Sequence, residues 1–155
     1  MKTEFLYRLK FHYTKSVEPA SAEGELGKED QHFFILEGTV TGKINGTIFG
    51  LNHPVRRPDD VFMSDAQASI STDDGATIFV DLKGMGVHVK GKKYRSYVGP
   101  LRHLSSHPNY NWLNKTWTIG SGVVGATALA IGDKETVCDV YTILYEDGVD
   151  GTKNL

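Results

Sequence analysis

Cysteine is nearly absent from this chain. Cys138 is the single thiol, which excludes an internal disulfide and a cysteine-built zinc site. There is no excess of either charge: 17 basic residues face 19 acidic ones, for a net charge of −2. The chain therefore lacks the basic footprint of a nucleic-acid binder, and its densest basic run, Lys90–Gly91–Lys92–Lys93, reads as a solvated turn. No apolar run approaches the roughly 20 residues of a spanning helix. The opening Met1–Lys2–Thr3–Glu4 holds no apolar signal region, so a cytoplasmic location without a membrane partner is the expectation. Helical patterning is missing as well.

What is present is alternation. Phe5, Tyr7, Leu9, Phe11 and Tyr13 alternate with Leu6, Arg8, Lys10, His12 and Thr14, the period-two pattern of a strand with an aromatic face. Further strands are expected at His32–Gly42, Ile44–Leu51, Tyr94–Val98, Trp112–Ser121, Ala126–Ala130 and Thr136–Tyr145. The clearest signal is the run Val61–Thr72 meeting Asp73–Asp74–Gly75 and then Ala76–Leu82. Two alternating runs about an Asp-Gly corner read as a β-hairpin. Glu18–Gln31 reads as a loop with room for a short helical turn, Asn52–Asp60 as a rim loop with two prolines, and Pro100–Asn109 as irregular chain, with Pro108 arguing against a helix through it. The 17 glycines suit many tight turns. Residues 1–145 form one all-β domain and 146–155 a polar tail. Eight to ten short-connected antiparallel strands must hide their edges, and a closed up-and-down barrel does so most compactly. A sandwich is the alternative.

Three blocks carry a family resemblance: Phe62–Met63–Ser64–Asp65–Ala66–Gln67 continuing through Ser71–Val80, Pro108–Thr116, and Val137–Cys138–Asp139–Val140–Tyr141. In order and spacing they resemble the DUF3237 (UPF0311) family. The resemblance implies a calycin-like, lipocalin-like β-barrel and says little about activity. Two positions depart from the family's pattern: Gly50–Leu51–Asn52–His53 stands where a Gly-Gly-x-Asp corner is common, and Gln67 where a basic residue is.

Chemistry in such a barrel depends on which face of each strand points inward. On the fourth expected strand one face carries Met63, Asp65, Gln67, Ser69 and Ser71, and the other Phe62, Ser64, Ala66, Ala68 and Ile70. An inward Asp65 would have a raised pKa and serve as general acid or base; an outward one is a surface carboxylate. Asp139 and Tyr141 share a face of the last strand and pose the same question, as does Asp81. His53 and His88 are placed at strand ends on the rim, within reach of a mouth. Arg102 is suited to a carboxylate or phosphate, and Trp112 and Asn114 to a pocket wall. His103 and His107 have an i, i+4 spacing without a helix to present it, so no metal site is expected. Gly120–Ser121–Gly122 lacks the lysine and helix of a phosphate loop, and no cofactor is implied. Cys138, within a strand-like run, reads as a small buried hydrophobe.

Three functions follow. The first is a cofactor-free isomerase, cyclase or lyase acting on a hydrophobic oxygenated molecule. Its catalytic residues would be Asp65, Asp139, Tyr141 and His53; Gln67, Asp81, His88, Arg102, Trp112 and Asn114 would hold the substrate. The second is a non-catalytic small-ligand carrier. The third is a filled barrel that acts through its surface as a homo-oligomer.

Overall fold

The computed structural model describes residues 2–125 and 136–144. Among them are nine strands: β1 (Lys2–Gly24), β2 (Gly27–Gly42), β3 (Gly46–Asn52), β4 (Val55–Arg56), β5 (Phe62–Thr72), β6 (Thr77–His88), β7 (Tyr94–Leu104), β8 (Thr118–Gly125) and β9 (Thr136–Leu144). Every pairing is antiparallel. The ladder runs β1-β9-β8-β7-β6-β5-β3-β2, and β1 pairs with β2 to close an eight-stranded barrel; the two-residue β4 bridges β2 and β5. Closure removes the free edges.

Most of the alternating patterns hold with an apolar face inside. On β1, however, a register shift between Phe5 and Tyr7 buries Leu6 and leaves Phe5 40% exposed, outside the aromatic face expected for it. Phe49 and Leu51 of β3 also point outward. Leu9 and Tyr13 of β1, Leu36 and Val40 of β2, Ile48 of β3, Ala66, Ala68 and Ile70 of β5, Ile78 and Val80 of β6, and Cys138 and Val140 of β9 form one continuous core. One end of this core is packed solid. There Tyr7, Ile44, Ile70, Ile78 and Val140 are completely or almost completely buried. Leu113, from a 3-10 turn at Asn111–Lys115, is driven into the same cluster as a plug. The corner of the β5–β6 hairpin is held in place: Gly75 takes φ +88°, and Asp74 accepts from Thr72 Oγ1 at 2.5 Å and Tyr110 Oη at 2.9 Å.

Several elements differ from the expectation. Glu18–Gln31 is not a loop. β1 and β2 continue past the barrel as a two-stranded arm turning at Glu25–Leu26, with pairs reaching Gly24↔Gly27. Side-chain polarity points to a loop, but an arm whose tip, residues 20–29, is exposed on both faces needs no apolar alternation. Asp30 braces it, accepting from Ser21 Oγ at 2.5 Å and facing Lys28 Nζ at 3.2 Å. Pro100 does not break β7 either. The β6–β7 register passes from Leu82↔Leu101 to Met85↔Val98 with no pair between. The missing proline N–H therefore falls where the ladder has lapsed, which is the condition for proline inside a sheet. The expected strand at Trp112 begins only at Thr118, because the 3-10 turn precedes it. The expected strand at Ala126–Ala130, the turn at Gly132–Lys134 and the tail from 146 lie outside the described residues. Among the described residues no helix is long and apolar enough to cross a membrane.

Beside the arm, Arg95 grips Asp60 with both guanidinium nitrogens at 3.1–3.3 Å and lies 4.6 Å over the Phe62 ring. Asp60 sits at φ +65°, a conformation that costs a non-glycine residue energy, and this paired clamp holds it there.

Candidate functional site

Parity decides where the charged candidates lie. On β5 the buried positions are Phe62, Ala66, Ala68, Ile70 and Thr72, so Asp65 and Gln67 stand on the outer face. The physical reason is burial: the other parity would put an alanine-isoleucine face in water and a carboxylate in an apolar core. Asp65 ion-pairs with Lys83 of β6 and accepts from Gln67 Nε2 at 2.7 Å. The lysine contact is the main cause that holds the Asp65 carboxyl below the usual aspartate range. The same Gln67 nitrogen lies 3.3 Å from Asp81 on the adjacent strand. His53 stacks on Phe33 with centroids 4.5 Å apart. These groups form an external polar patch rather than a lumenal acid–base set.

Asp139 and Tyr141 are likewise outward, since Cys138, Val140 and Thr142 take the buried positions of β9. Arg8 of β1 donates to both Asp139 oxygens, at 2.7 and 2.8 Å, and keeps this carboxyl ionised well below its ordinary range. Tyr141 meets Phe5 edge-on, with centroids 5.9 Å apart. In the ladder order three strands separate β9 from β5, so Asp65 and Asp139 cannot act on one small molecule. His88 ends β6, exposed. Trp112 is half-exposed and donates its indole N–H to Asn109 O at 3.1 Å. Asn114 clamps Ser105, accepting from its N–H at 2.8 Å and donating to its carbonyl at 2.9 Å. Asp81, Arg102 and Asn114 are the expected ligand residues that come together, around an outer groove.

The lumen is a different environment. At the end away from Leu113 it holds a free volume of about 50 Å³. Leu9, Phe11, Leu36, Ile48, Ala66, Ala68, Val80, Leu82 and Val124 supply apolar wall; Tyr13, Asn52, Ser64, Tyr97, Thr136 and Cys138 supply the polar atoms. Among the described residues no charged side chain lines it. Asn52 Nδ2 donates to Tyr13 Oη at 2.7 Å, while Asn52 Oδ1 accepts from the Asp65 N–H at 3.3 Å. The Tyr13 oxygen is thus an acceptor already in use, and its own proton remains free to donate. Burial pushes this phenol up to about 12, so it stays a donor. Burial also pushes the Cys138 thiol up to about 12, which leaves it a neutral wall atom rather than a nucleophile.

Deeper, toward the plugged end, Tyr7 Oη contacts His103 Nε2 at 2.8 Å and Thr118 Oγ1 lies 3.3 Å from His103 Nδ1. The Thr118 hydroxyl spends its proton on Leu101 O at 2.8 Å, so His103 must donate from Nδ1 and accept from Tyr7 at Nε2. Burial depresses this imidazole to about 4, consistent with a neutral ring. Sequence reasoning missed both interior sets. Reading β7 as stopping before Pro100 hid the inward alternation Tyr97, Gly99, Leu101, His103, Ser105. Reading a rim loop from Asn52 hid the last inward residue of β3.

Fold and site together define a closed antiparallel β-barrel of calycin-like form, whose lumen is uncharged among the described residues and whose Asp65, Asp81 and Asp139 lie outside. The chain belongs to the family described as "Protein of unknown function (DUF3237)", whose model matches residues 1–143. A UPF0311 protein of Rhodopseudomonas palustris (strain TIE-1) is 29% identical over 151 residues, covering 86% of this chain and 94% of that protein. Among solved structures, the conserved protein of unknown function RPA1785 from Rhodopseudomonas palustris superposes with a TM-score of 0.74 at 22% identity, over 92% of this chain and 97% of that one. A structure described as an enzyme from Penicillium herquei gives 0.62 at 20% identity, over 92% and 94%. At these identities the structural likeness establishes the shared fold.

Proposed function

We propose that the protein is a small-ligand carrier that holds a largely apolar molecule bearing one carbonyl or hydroxyl group in its lumen. The observation that carries this reading is the free Tyr13 proton in an otherwise uncharged, mostly apolar cavity. A few convergent polar groups in an apolar wall orient a guest. Among the described residues of this wall, by contrast, the titratable groups are phenols and a thiol that burial keeps protonated, with no carboxylate or imidazole to act as a base. The free volume of about 50 Å³ is more than the ~10–15 Å³ one water needs and less than the ~150 Å³ of a cavity that admits benzene. A ring-sized guest therefore enters by displacing Phe11, Leu82 and Val124, partly buried hydrophobic members of the wall.

The test is mass spectrometry of protein purified from its host, followed by titration with acetophenone, a neutral aromatic ketone. Saturable binding should survive Asp65→Ala and Asp139→Ala. It should weaken about tenfold in Tyr13→Phe, the loss of roughly one hydrogen bond, and disappear in Ala68→Phe, which fills the cavity. Unchanged affinity in Ala68→Phe, in a variant that remains folded, would move the ligand out of the lumen. Turnover of a co-purified molecule that Asp65→Ala abolishes would replace the carrier reading with the enzyme reading.

A further inference from the structure

On the outer wall, the β6–β7 surface and the segment Leu113–Trp117 enclose a groove of about 470 Å³. This falls within the ~300–1,000 Å³ of small-molecule sites. Pro100 is the exposed apolar side chain of its floor, above the inward-facing Leu101 and Leu113, and Trp117 stands at its edge with 75% of its surface exposed.

Its charges are unusual in what they leave unpaired. Arg102 of β7 lies directly opposite Asp81 of β6 in the ladder, a position where opposite charges ordinarily pair. Asp81 instead faces Gln67 Nε2 at 3.3 Å and Lys83 Nζ at 3.9 Å. Among the described residues the Arg102 side chain makes no ion pair or hydrogen bond, and neither does that of Lys115 on the other wall. The remaining polar groups of that wall are committed: the Asn114 amide to Ser105 and the Thr116 hydroxyl to Trp112 O. The groove therefore offers a ring surface and an idle guanidinium fork.

We propose that this groove is a second binding site, separate from the lumen, for a planar aromatic carboxylate. The ring lies on Trp117 and Pro100, and the carboxylate takes the two-pronged contact with Arg102 that its geometry matches, with Lys115 adding charge. Asp81 on the rim selects a monoanion, because its own charge repels the second charge of a phosphate.

The experiment titrates 2-naphthoate into nitrogen-15-labelled protein and follows the indole N–H resonances of Trp112 and Trp117. A saturable shift centred on Trp117 is expected. Affinity should fall about tenfold or more in Arg102→Gln, an exposed residue whose removal breaks no contact in the fold. It should fall similarly for the uncharged 2-naphthyl methyl ketone, and 2-naphthyl phosphate should bind more weakly than the carboxylate. Ala68→Phe should leave the response intact, which separates this site from the lumen. The proposal is overturned by absence of a Trp117 shift at saturating naphthoate, or by equal affinity in Arg102→Gln. A response abolished by Ala68→Phe but not by Arg102→Gln would also overturn it, as would a ligand-free dimer that already buries Trp117 in the groove.

Discussion

Tyr7 donates its hydroxyl to His103 Nε2 at 2.8 Å, a bond that joins β1 to β7 through the interior of the barrel. Both residues are essentially inaccessible to solvent. The bond gives the plugged end of the barrel a directional link that apolar packing alone does not provide.

The burial of His103 makes stability fall in mild acid. The imidazole titrates near 6.5 in the unfolded chain and near 4 in the fold. Between those values the unfolded state binds more protons, so stability is complete above about pH 6.5 and declines as pH falls toward 4. The shift corresponds to a loss on the order of 3 kcal/mol. Urea unfolding midpoints measured from pH 7.5 to 4.5 should show this decline. A Tyr7→Phe/His103→Leu double variant should flatten it; an equally steep decline in that variant would assign the effect to other groups.

Tyr7→Phe by itself removes the donor and leaves His103 Nε2 buried without one. The expected loss is about 1–3 kcal/mol, read as a lower denaturant midpoint with an unchanged slope. A loss under about 0.5 kcal/mol would show that the ring finds another partner.

Glycine positions on neighbouring strands should differ sharply. A Cβ at Gly99 would sit 1.9 Å from Lys83 O, a backbone atom that cannot swing away, whereas at Gly86 the nearest atom is 3.6 Å distant. Gly99→Ala should abolish or severely reduce folded protein. Gly86→Ala should be tolerated within about 1 kcal/mol, as a change that creates neither clash nor cavity. Thermal melts of both variants make the comparison.

The Arg8–Asp139 fork is well formed but half in water, with Arg8 48% exposed. Exposed pairs contribute little, about 0–1 kcal/mol. A double-mutant cycle through Arg8→Ala and Asp139→Asn should return a coupling in that range and shrink further in high salt. A coupling above about 2 kcal/mol would show that the pair is effectively withdrawn from solvent.

The alternation of β5 and β6 about Asp73–Asp74–Gly75, the aromatic face of β1 and the abundance of turns are local facts. They determine an all-β chain that must close on itself, and three sequence blocks suffice to tie it to its family. Local signals also misled where a local rule is conditional. Proline breaks a ladder only if a partner awaits its N–H, and Pro100 sits where none does. Polar sequence means loop only if no second strand pairs with it, and Lys2–Gly24 and Gly27–Gly42 pair to the tip.

The site was less legible still. Alternation says that Asp65 and Ala66 point opposite ways without saying which way is in. That choice is made by the summed burial of all eight barrel strands, and it placed Asp65, Gln67, Asp81 and Asp139 outside. Only the tertiary structure brought Asn52 to Tyr13 and His103 to Tyr7, because each pair is set by barrel closure, which joins residues far apart in the chain. The sequence by itself determined an all-β chain whose edges must be hidden; closure into a barrel decided that, among the described residues, the interior carries no charge.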